Sequence, residues 1–347
     1  MLKKLSATFL RWSHHLKTKT MEIVLNTFGT ALSCENDGLV VKTDRGKKRL
    51  PQYGVSSILI GPGVSVTSNA VLHAIEREIE LHFVTRGGDM KGLVWSHKYG
   101  SISTIRKGQL AFAQSVDAVE WIVGVITRKL ENQQALLLML DSVDDRGRRV
   151  VESSIKRIGG YLEKLKSVFG ATVRDVASEL RGIEGNAARH YFTALSASLP
   201  VRYRFDERSQ HPARDPANAL LNYGYGILYG KVEAALIKAG IDPYVGVLHR
   251  DEYNRPVLAY DVIEQYRVWV DYVVVQLLMQ SAVDDCYYSV DEAGACWLEP
   301  LGRRVMIQSL NDYMDEVVTQ RDGERRNRVN HIQQEAYELA RRLRAAK

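Results

Sequence analysis

One histidine and two carboxylates stand close together in the second half of the chain, in an order that suits metal chemistry. Two turns rich in proline or glycine, at residues 243–246 and 254–256, bracket a short segment that ends at His249. Asp261 and Glu264 follow in a predicted helix, and a spacing of three residues brings both carboxylates to one face. One imidazole facing two carboxylates across a turn is the ligand set of a hard divalent metal ion with one nitrogen donor.

Each acidic or basic group also has a simpler explanation. A histidine after an apolar run is more often packed in a core than bound to a metal. Asp261 and Glu264 could be carboxylates near a helix start, where the helix dipole favours negative charge, and this suits Asp261 better. By its surroundings Glu184 is an ordinary exposed glutamate, although Gly182 and Gly185 would let a nucleic-acid strand approach closely. Only the joint pattern favours a site.

Helical periodicity predicts the elements that hold these residues. After Pro256 a buried stripe recurs at spacings of three and four, formed by Ile263, Tyr266, Val270, Val273 and Leu277. From Gly108 to Leu130 the apolar residues alternate steps of four and three, which predicts one long amphipathic helix. Similar stripes continue to the C-terminus, so the larger part of the chain is predicted to be helical.

The N-terminal part has a different pattern. Residues 22–100 contain short apolar runs typical of strands, and residues 36–38 form a hairpin signal between two of them. One short helix is predicted at residues 68–78. The predicted fold class is α+β, with an N-terminal β-sandwich domain at 21–98 and a larger all-α domain at 107–347 that would carry the catalytic residues. Residues 1–20 form a basic extension.

Composition limits the partners. The chain has 347 residues, 45% of them hydrophobic, and a formal net charge of +6. Its clusters of arginine suggest a polyanionic partner, although solvated basic surfaces would explain the charge equally well. Three scattered cysteines indicate neither a zinc ribbon nor a disulfide framework and fit a reducing cytoplasm. No apolar run approaches the roughly 18 residues of a membrane span.

Several separated motifs resemble one known family. They are 182–192, 218–229, 239–249 and 261–267, with a further likeness at 129–133. In this order they resemble the CRISPR-associated spacer-acquisition integrase family, the universal metal-dependent nuclease of CRISPR adaptation. The resemblance extends over about residues 21–330.

The resemblance implies that Glu184, His249 and Glu264 are the metal ligands and that Asp261 supports them as a fourth catalytic residue. Mg²⁺ or Mn²⁺ is expected, because two of the three ligands are oxygens and a hard cation keeps positions for water and phosphate. Zinc suits this set less well, since no cysteine lies nearby.

Basic and aromatic residues between the motifs are predicted to contact DNA: Arg202, Arg204, Arg208, Arg214, Tyr223 and Arg267. The arginines would neutralise phosphates, and Tyr223 could stack on an unpaired base or pack in the core. Arg267 lies one turn after Glu264 and could pair with it or hold a phosphate.

The implied function is a homodimeric integrase that inserts short duplex DNA, the spacer precursor, beside the leader of a CRISPR array. A 3′-hydroxyl would attack a backbone phosphate, and a small ferredoxin-like adaptation protein usually bridges two such dimers. Two alternatives stay open at this point. One is a structure-specific nuclease that hydrolyses branched DNA, and the other is a DNA-binding module without catalysis.

Overall fold

A computed structural model describes residues 21–51, 55–85, 90–94, 103–140, 144–249, 255–319 and 323–346. These residues divide into two compact units. The first contains the residues up to Phe83 and the strand end at 93–94, and the second contains 84–92 and the described residues from Ser103 onward. The predicted extension at 1–20, the turn residue Asn254 and the start of the predicted domain junction lie outside the described residues.

The N-terminal region contains two four-stranded sheets, in the orders β1-β5-β7-β8 and β4-β3-β2-β6. The elements are β1 (Met21–Leu25), β2 (Ala31–Cys34), β3 (Leu39–Thr43), β4 (Gly46–Arg49), β5 (Val55–Ile60), β6 (Ser65–Val66), α1 (Ser68–Glu76), β7 (Glu80–Val84) and β8 (Met90–Val94). Strands β2 and β3 pair as an antiparallel hairpin, and Asn36 and Asp37 have φ angles of 47° and 55° at its turn. The predicted hairpin is therefore confirmed, since tight hairpin turns need such left-handed residues.

Both sheets contribute to one hydrophobic core together with α1. Its buried residues are Leu25, Leu32, Leu39, Ile58, Ile60, Ala70, Ala74 and Leu81. This shared core is compatible with the predicted sandwich. Strand β5 pairs in parallel with β1 and with β7, which the sequence pattern did not predict. Parallel neighbours need a crossover connection, and α1 lies in the connection between β5 and β7.

The helical region follows, and the predicted α+β class is confirmed. Its helices are α2 (Ser103–Phe112), α3 (Val116–Met139), α4 (Asp145–Leu165), α5 (Val173–Ser198), α6 (Pro216–Lys238), α7 (Val257–Ile263), α8 (Arg267–Met279), α9 (Pro300–Asp315) and α10 (Arg328–Ala345). Two short antiparallel ladders, not predicted from the sequence, join β9 (Tyr288–Val290) to β10 (Cys296–Leu298) and β11 (Val317–Thr319) to β12 (Arg325–Asn327). Helix α6 packs against α7, α8, α9 and α10 and is buried along most of its length.

The predicted continuous helix from Gly108 onward is wrong. Helix α2 ends at Phe112, α3 begins at Val116, and the two meet at an angle of 83°. The break occurs because Ser115 adopts an extended conformation and its hydroxyl accepts a hydrogen bond from the Ala118 N–H, which caps α3. Apolar spacing continues through the break, so periodicity alone did not reveal it.

The helix predicted after Pro256 is also interrupted. Helix α7 ends at Ile263 and α8 begins at Arg267, although Tyr266 and the rest of the predicted stripe remain buried. Glu264 therefore stands in the turn between two helices and not inside one. This interruption decides where the Glu264 carboxylate lies in the site.

Within the described segments, no single helix has both the length and the apolar character needed to cross a membrane. Helices α2 and α3 meet the length and composition criteria only as a bent pair.

Candidate active site

Two glutamates from different elements meet at one lysine. Glu184 lies in α5, Glu264 directly follows α7, and Lys129 lies in α3. The Lys129 Nζ is 2.5 Å from Glu184 Oε1 and 2.5 Å from Glu264 Oε2. The Lys129 side chain is only 8% exposed, so its charge depends on these carboxylates for compensation. This cluster is the first part of the candidate site.

Helix α5 holds Glu184 through its cap and its buried stripe. The helix begins with a reciprocal capping box, in which the Asp175 side chain accepts the Thr172 backbone N–H at 2.8 Å. The predicted apolar stripe is confirmed as buried: Leu180, Ile183, Ala187 and Tyr191. Glu184 comes directly after the buried Ile183, and its side chain is partly exposed beside the stripe.

The two glycines beside Glu184 line an open strip of α5. Gly182 and Gly185 are both exposed, and a Cβ atom added at either would meet no described atom outside the helix backbone within 4 Å. Packing of the described residues therefore gives no reason for glycine here, although glycine weakens a helix. The strip leaves space for another molecule next to the glutamate.

Glu264 is held by two cations. Arg267 donates a hydrogen bond from Nη1 to Glu264 Oε1 at 2.8 Å, and Lys129 forms the ion pair with Oε2. The Lys129 Nζ lies 2.5 Å from Oε2, so its ammonium compensates the charge of this buried atom. Burial alone would raise the pKa of Glu264, but the charges of Arg267 and Lys129 outweigh it and hold this pKa below its usual range. The carboxylate is therefore ionised at neutral pH.

Asp261 fixes the turn that carries His249. Its carboxylate accepts three successive backbone N–H groups, those of Val247, Leu248 and His249, at 2.7, 3.1 and 3.1 Å. The same carboxylate lies 2.6 Å from His249 Nδ1, and this hydrogen bond outweighs burial and raises the pKa of His249. In the neutral ring the proton lies on Nδ1, which leaves the Nε2 lone pair available. Asp261 thus positions His249, and its own oxygens are already occupied.

Further hydrogen bonds hold the segment around this turn. Arg181, in α5, donates to the Leu248 carbonyl at 2.7 Å. The Gln109 amide both donates to the Asp242 carbonyl at 2.8 Å and accepts the Asp242 N–H at 2.9 Å. Helix α5 therefore supplies both Glu184 and a clamp on the His249 turn.

A buried polar network orients Arg267. Its guanidinium lies 4.2 Å from the centre of the Tyr225 ring. The Tyr225 hydroxyl donates to Asp271, and the Tyr191 hydroxyl donates to Asp271 Oδ2 at 2.7 Å. Asp271 is fully buried, and burial raises its pKa in spite of these hydrogen bonds. The contacts of Glu264 are thus supported from the interior of the helical unit.

Two of the arginines predicted to bind DNA are engaged within the protein. Arg204 donates to Asp144 Oδ2 at 2.8 Å and to the Leu199 carbonyl at 3.0 Å. Arg208 donates to the side-chain oxygens of Asn218 and Asn222 at 2.6 and 2.5 Å. These contacts explain both residues as parts of the fold.

The other predicted DNA residues differ in accessibility. Arg202 is 48% exposed and donates to the Val283 carbonyl, and Arg214 is exposed and donates to the Ala293 carbonyl. Tyr223 is only 4% exposed and does not present its ring to a base. Arg267 was predicted either to pair with Glu264 or to hold a phosphate, and in the structure it pairs with Glu264. DNA contact by these residues stays a prediction, and Arg202 and Arg214 are accessible for it.

The donor chemistry of the site fits a divalent cation. Glu184 and Glu264 supply carboxylate oxygens that already share one cation, Lys129, and His249 keeps Nε2 available because its Nδ1 bonds Asp261. Within the described residues no three His, Cys, Asp or Glu side chains are close enough together to hold one ion.

Sequence reasoning missed the roles of Lys129 and Arg181. Both belong to helices whose apolar stripes were predicted. Lys129 pairs with the carboxylates, and Arg181 donates a hydrogen bond to the turn that carries His249. The available signal was the position of Lys129 within a family-like motif, but residue type and spacing gave it no partner. Contacts over 55 and 67 residues of sequence separation require the folded chain.

The chain is a two-unit α+β protein with a carboxylate pair around a buried lysine and an oriented histidine in its helical unit. The family model for "CRISPR associated protein Cas1" matches residues 23–312. A CRISPR-associated endonuclease Cas1 from Archaeoglobus fulgidus is 32% identical over 310 residues, which is 85% of this chain and 88% of the relative.

Two solved structures share the fold. A casposase bound to integration product has a TM-score of 0.79 at 22% identity, covering 94% of this chain and 91% of that chain. A Cas6-RT-Cas1–Cas2 complex has a TM-score of 0.75 at 22% identity, covering 94% of this chain and 35% of that chain.

This chain belongs to the Cas1 family of CRISPR-associated proteins. The family model spans most of its length and includes the motifs at 182–192, 218–229, 239–249 and 261–267. The family resemblance drawn from these motifs is therefore confirmed.

Proposed function

We propose that this chain is a divalent-metal-dependent DNA endonuclease and integrase that inserts short DNA fragments into a CRISPR array. The observation that carries the proposal is the meeting of Glu184 and Glu264 at one buried cation. His249, which Asp261 holds, lies near enough for the charges of both glutamates to contribute to its raised pKa. Membership of the Cas1 family supports the same reaction class. So do the name of the Archaeoglobus relative, an endonuclease, and the integration product bound to the casposase.

Glu184, His249 and Glu264 would hold the ion, which is Mg²⁺ or Mn²⁺ by the chemistry of its ligands. When bound, such an ion acts as a Lewis acid on a phosphate and as a template for the attacking oxygen. Asp261 keeps the His249 ring in the tautomer that exposes Nε2. Arg267 and Lys129 keep Glu264 ionised, so that no proton has to leave it before it can act as a ligand.

The reaction is a transesterification. The donor 3′-oxygen forms a new bond to a target phosphorus, and the bond from that phosphorus to the target 3′-oxygen breaks. The departing oxygen takes up the proton that the donor hydroxyl gives up, so one phosphodiester replaces another. The open strip at Gly182 and Gly185 would admit a strand beside Glu184. Arg202 and Arg214 would contact phosphates farther along the duplex.

We further propose that the chain acts as a homodimer together with a small ferredoxin-like adaptation protein that bridges two dimers. The solved Cas6-RT-Cas1–Cas2 complex, one chain of which shares this fold, supports association with a second adaptation protein. Size-exclusion chromatography with light scattering would test the dimer, with a second peak expected when the bridging protein is added. A monomer at working concentration would contradict this part of the proposal.

A labelled-donor assay tests the reaction itself. Donor duplexes carry either a free 3′-hydroxyl or a terminal dideoxynucleotide, and the target contains a leader and a repeat. We expect transfer of label to the target only from the free 3′-hydroxyl, with Mn²⁺ or Mg²⁺ present and the bridging protein added. Equal nicking with both donors and no transfer would favour a branched-DNA nuclease. DNA binding without cleavage or transfer would favour the non-catalytic module.

A further inference from the structure

Lys129 contacts both glutamates of the site through a single atom. It lies in α3 and is 7% exposed, and its Nζ is 2.5 Å from an oxygen of Glu184 and from an oxygen of Glu264. The neighbouring Arg128 takes a different direction and donates to Gln265 and Glu335 at 2.6 Å. These two cations of α3 therefore serve different acidic groups.

Two ionised carboxylates repel each other when they are brought together in a buried site. A cation between them removes that repulsion, and Lys129 stands in this position. The carboxylates come from α5 and from the turn after α7, so the lysine joins three separate elements. Its two partners are the two predicted oxygen ligands of a metal ion.

The contact with Glu264 can be exchanged for a contact with a divalent ion. Glu264 Oε1 accepts the hydrogen bond from Arg267, while Oε2 pairs with the Lys129 ammonium at 2.5 Å. A divalent ion that approached Oε2 would therefore have to replace the Lys129 charge at that atom, since a buried carboxylate needs a compensating cation.

We propose that Lys129 is the resident counterion of the acidic pair. Its ammonium lies between Glu184 and Glu264 in the metal-free protein, and a divalent ion binds by displacing it from at least one of the two carboxylates. This inference rests on the proposed metal-dependent function. It makes Lys129 a positioning residue that keeps the ligands together before the ion arrives and lowers the affinity for the ion.

Removal of the lysine charge should change stability and metal binding in opposite directions. Without the ammonium the two carboxylates repel each other, so the metal-free protein should melt at a lower temperature. The same change removes a competitor and a repulsive charge, so Mn²⁺ should bind more tightly. Since a ligand that binds only the folded state stabilises it, Mn²⁺ should raise Tm more in the variant than in the wild type.

The experiment compares the wild type with Lys129→Met, which keeps the length of the side chain and removes the charge. Mn²⁺ affinity is measured by isothermal titration calorimetry, and Tm is measured with chelator and with saturating Mn²⁺. We expect the Kd for Mn²⁺ to fall by about tenfold or more, with a larger Mn²⁺-dependent rise in Tm. If Lys129→Met does not fold, Lys129→Gln takes its place, because its amide can still donate a hydrogen bond to Glu184.

Two controls separate this role from a structural one. Lys129→Arg retains the charge and should change the Kd less than Lys129→Met. Arg128→Met removes the adjacent cation of α3 and should lower Tm without changing the Kd. An unchanged or weaker Mn²⁺ affinity in both neutral Lys129 variants would overturn the counterion role of Lys129 and leave the proposed metal dependence intact. Absence of Mn²⁺ binding in the wild type and in every variant would overturn the proposed metal dependence and the inference with it.

Discussion

Asp261 and Glu264 lie three residues apart, yet the surroundings of the two carboxylates differ completely. Asp261 is fully buried, and its two oxygens accept three backbone N–H groups and the ring Nδ1 of His249. Glu264 is also buried, but its two oxygens pair with the cationic side chains of Arg267 and Lys129. A carboxylate held by backbone N–H groups and a histidine ring therefore builds the site, and one held by cationic side chains suits the proposed exchange of a cation for a metal ion.

The helix break between α7 and α8 produces this difference. Asp261 lies inside α7 and faces the His249 turn, whereas Glu264 lies in the break and turns toward α3. In a continuous helix a spacing of three would have brought both carboxylates to one face. The break therefore divides one acidic motif into a supporting residue and a proposed ligand.

The largest effect is expected at the two glutamates. Glu264→Gln and Glu184→Gln should each lower divalent-dependent strand cleavage by at least about 100-fold, because each substitution removes a charged ligand of the proposed ion. Affinity for duplex DNA should change little, since phosphate contacts come mainly from arginine and lysine. A cleavage time course beside a binding titration measures both.

Glu179→Gln is the matched control, because Glu179 is an exposed glutamate of the same helix α5. It should keep wild-type cleavage. Full activity in Glu184→Gln would contradict the assignment of the centre.

A smaller effect is expected on the side of Asp261. Asp261→Asn should lower activity by about 10- to 100-fold, because an outer hydrogen bond that orients a ligand is weakened. It should also reduce the free energy of unfolding by about 1–3 kcal/mol, since buried N–H groups lose a charged acceptor. Asp261 raises the pKa of His249, so its replacement should lower that pKa and move the acid limb of the pH–activity profile to lower pH.

His249→Gln provides the contrast, because the His249 side chain is 43% exposed. It should lose activity and destabilise the fold less than Asp261→Asn, because Asp261 would lose one of its four hydrogen bonds and keep those from the backbone. Chemical denaturation and a pH–rate profile of both variants would distinguish the two roles. Equal destabilisation by the two substitutions would contradict the division between supporting residue and proposed ligand.

The arginines provide a third test, which compares side chains that are hydrogen-bonded within the protein with side chains that are accessible to DNA. Replacing the accessible Arg202 and Arg214 by Gln should reduce the salt dependence of duplex binding by about 0.9 in log–log slope for each phosphate that is no longer neutralised. Arg208→Gln should leave the slope unchanged and destabilise the fold, because Arg208 already binds Asn218 and Asn222. Binding titrations at several salt concentrations measure the slope. A flatter slope in Arg208→Gln would show that Arg208 contacts phosphate and would contradict its assignment to the fold.

The smallest expected effect concerns the open strip of α5. Gly185→Ala should stabilise the protein by about 0.5–1 kcal/mol, because alanine favours the helix and the added Cβ meets open space. Strand transfer should nevertheless fall if DNA passes over this strip. A thermal melt paired with a transfer assay measures both quantities, and unchanged transfer would mean that the strand runs elsewhere.

Much of the fold was predictable because it depends on local periodicity. The stripes at Leu180–Tyr191 and after Pro256, and the hairpin turn at Asn36 and Asp37, follow the expected patterns. The two helix breaks were not predictable from apolar spacing, because the apolar residues keep their period across both. Ser115 gave the first break a capping signal that periodicity did not weigh. Parallel strand pairing depends on contacts that local patterns do not encode.

The residue types of the candidate site could be named from the sequence, but the hydrogen bonds and ion pairs between them could not. Asp261, Glu264 and His249 were predicted as one ligand set with both carboxylates facing the imidazole, whereas Asp261 alone of the two contacts His249. Lys129 went unrecognised as a member of the site because its partner Glu184 lies 55 residues away in sequence. A spacing of three identifies residues that share a helix face, but it does not show which hydrogen bonds will occupy them.

Anomalous diffraction from crystals grown with Mn²⁺ would locate the proposed ion itself. We predict one strong manganese peak within coordination distance of Glu184, Glu264 and the Nε2 atom of His249, with Asp261 still bound to Nδ1. Lys129 should have left at least one of the two carboxylates. A manganese peak elsewhere, or a crystal with saturating Mn²⁺ in which Lys129 still bridges both glutamates, would contradict the proposed metal centre.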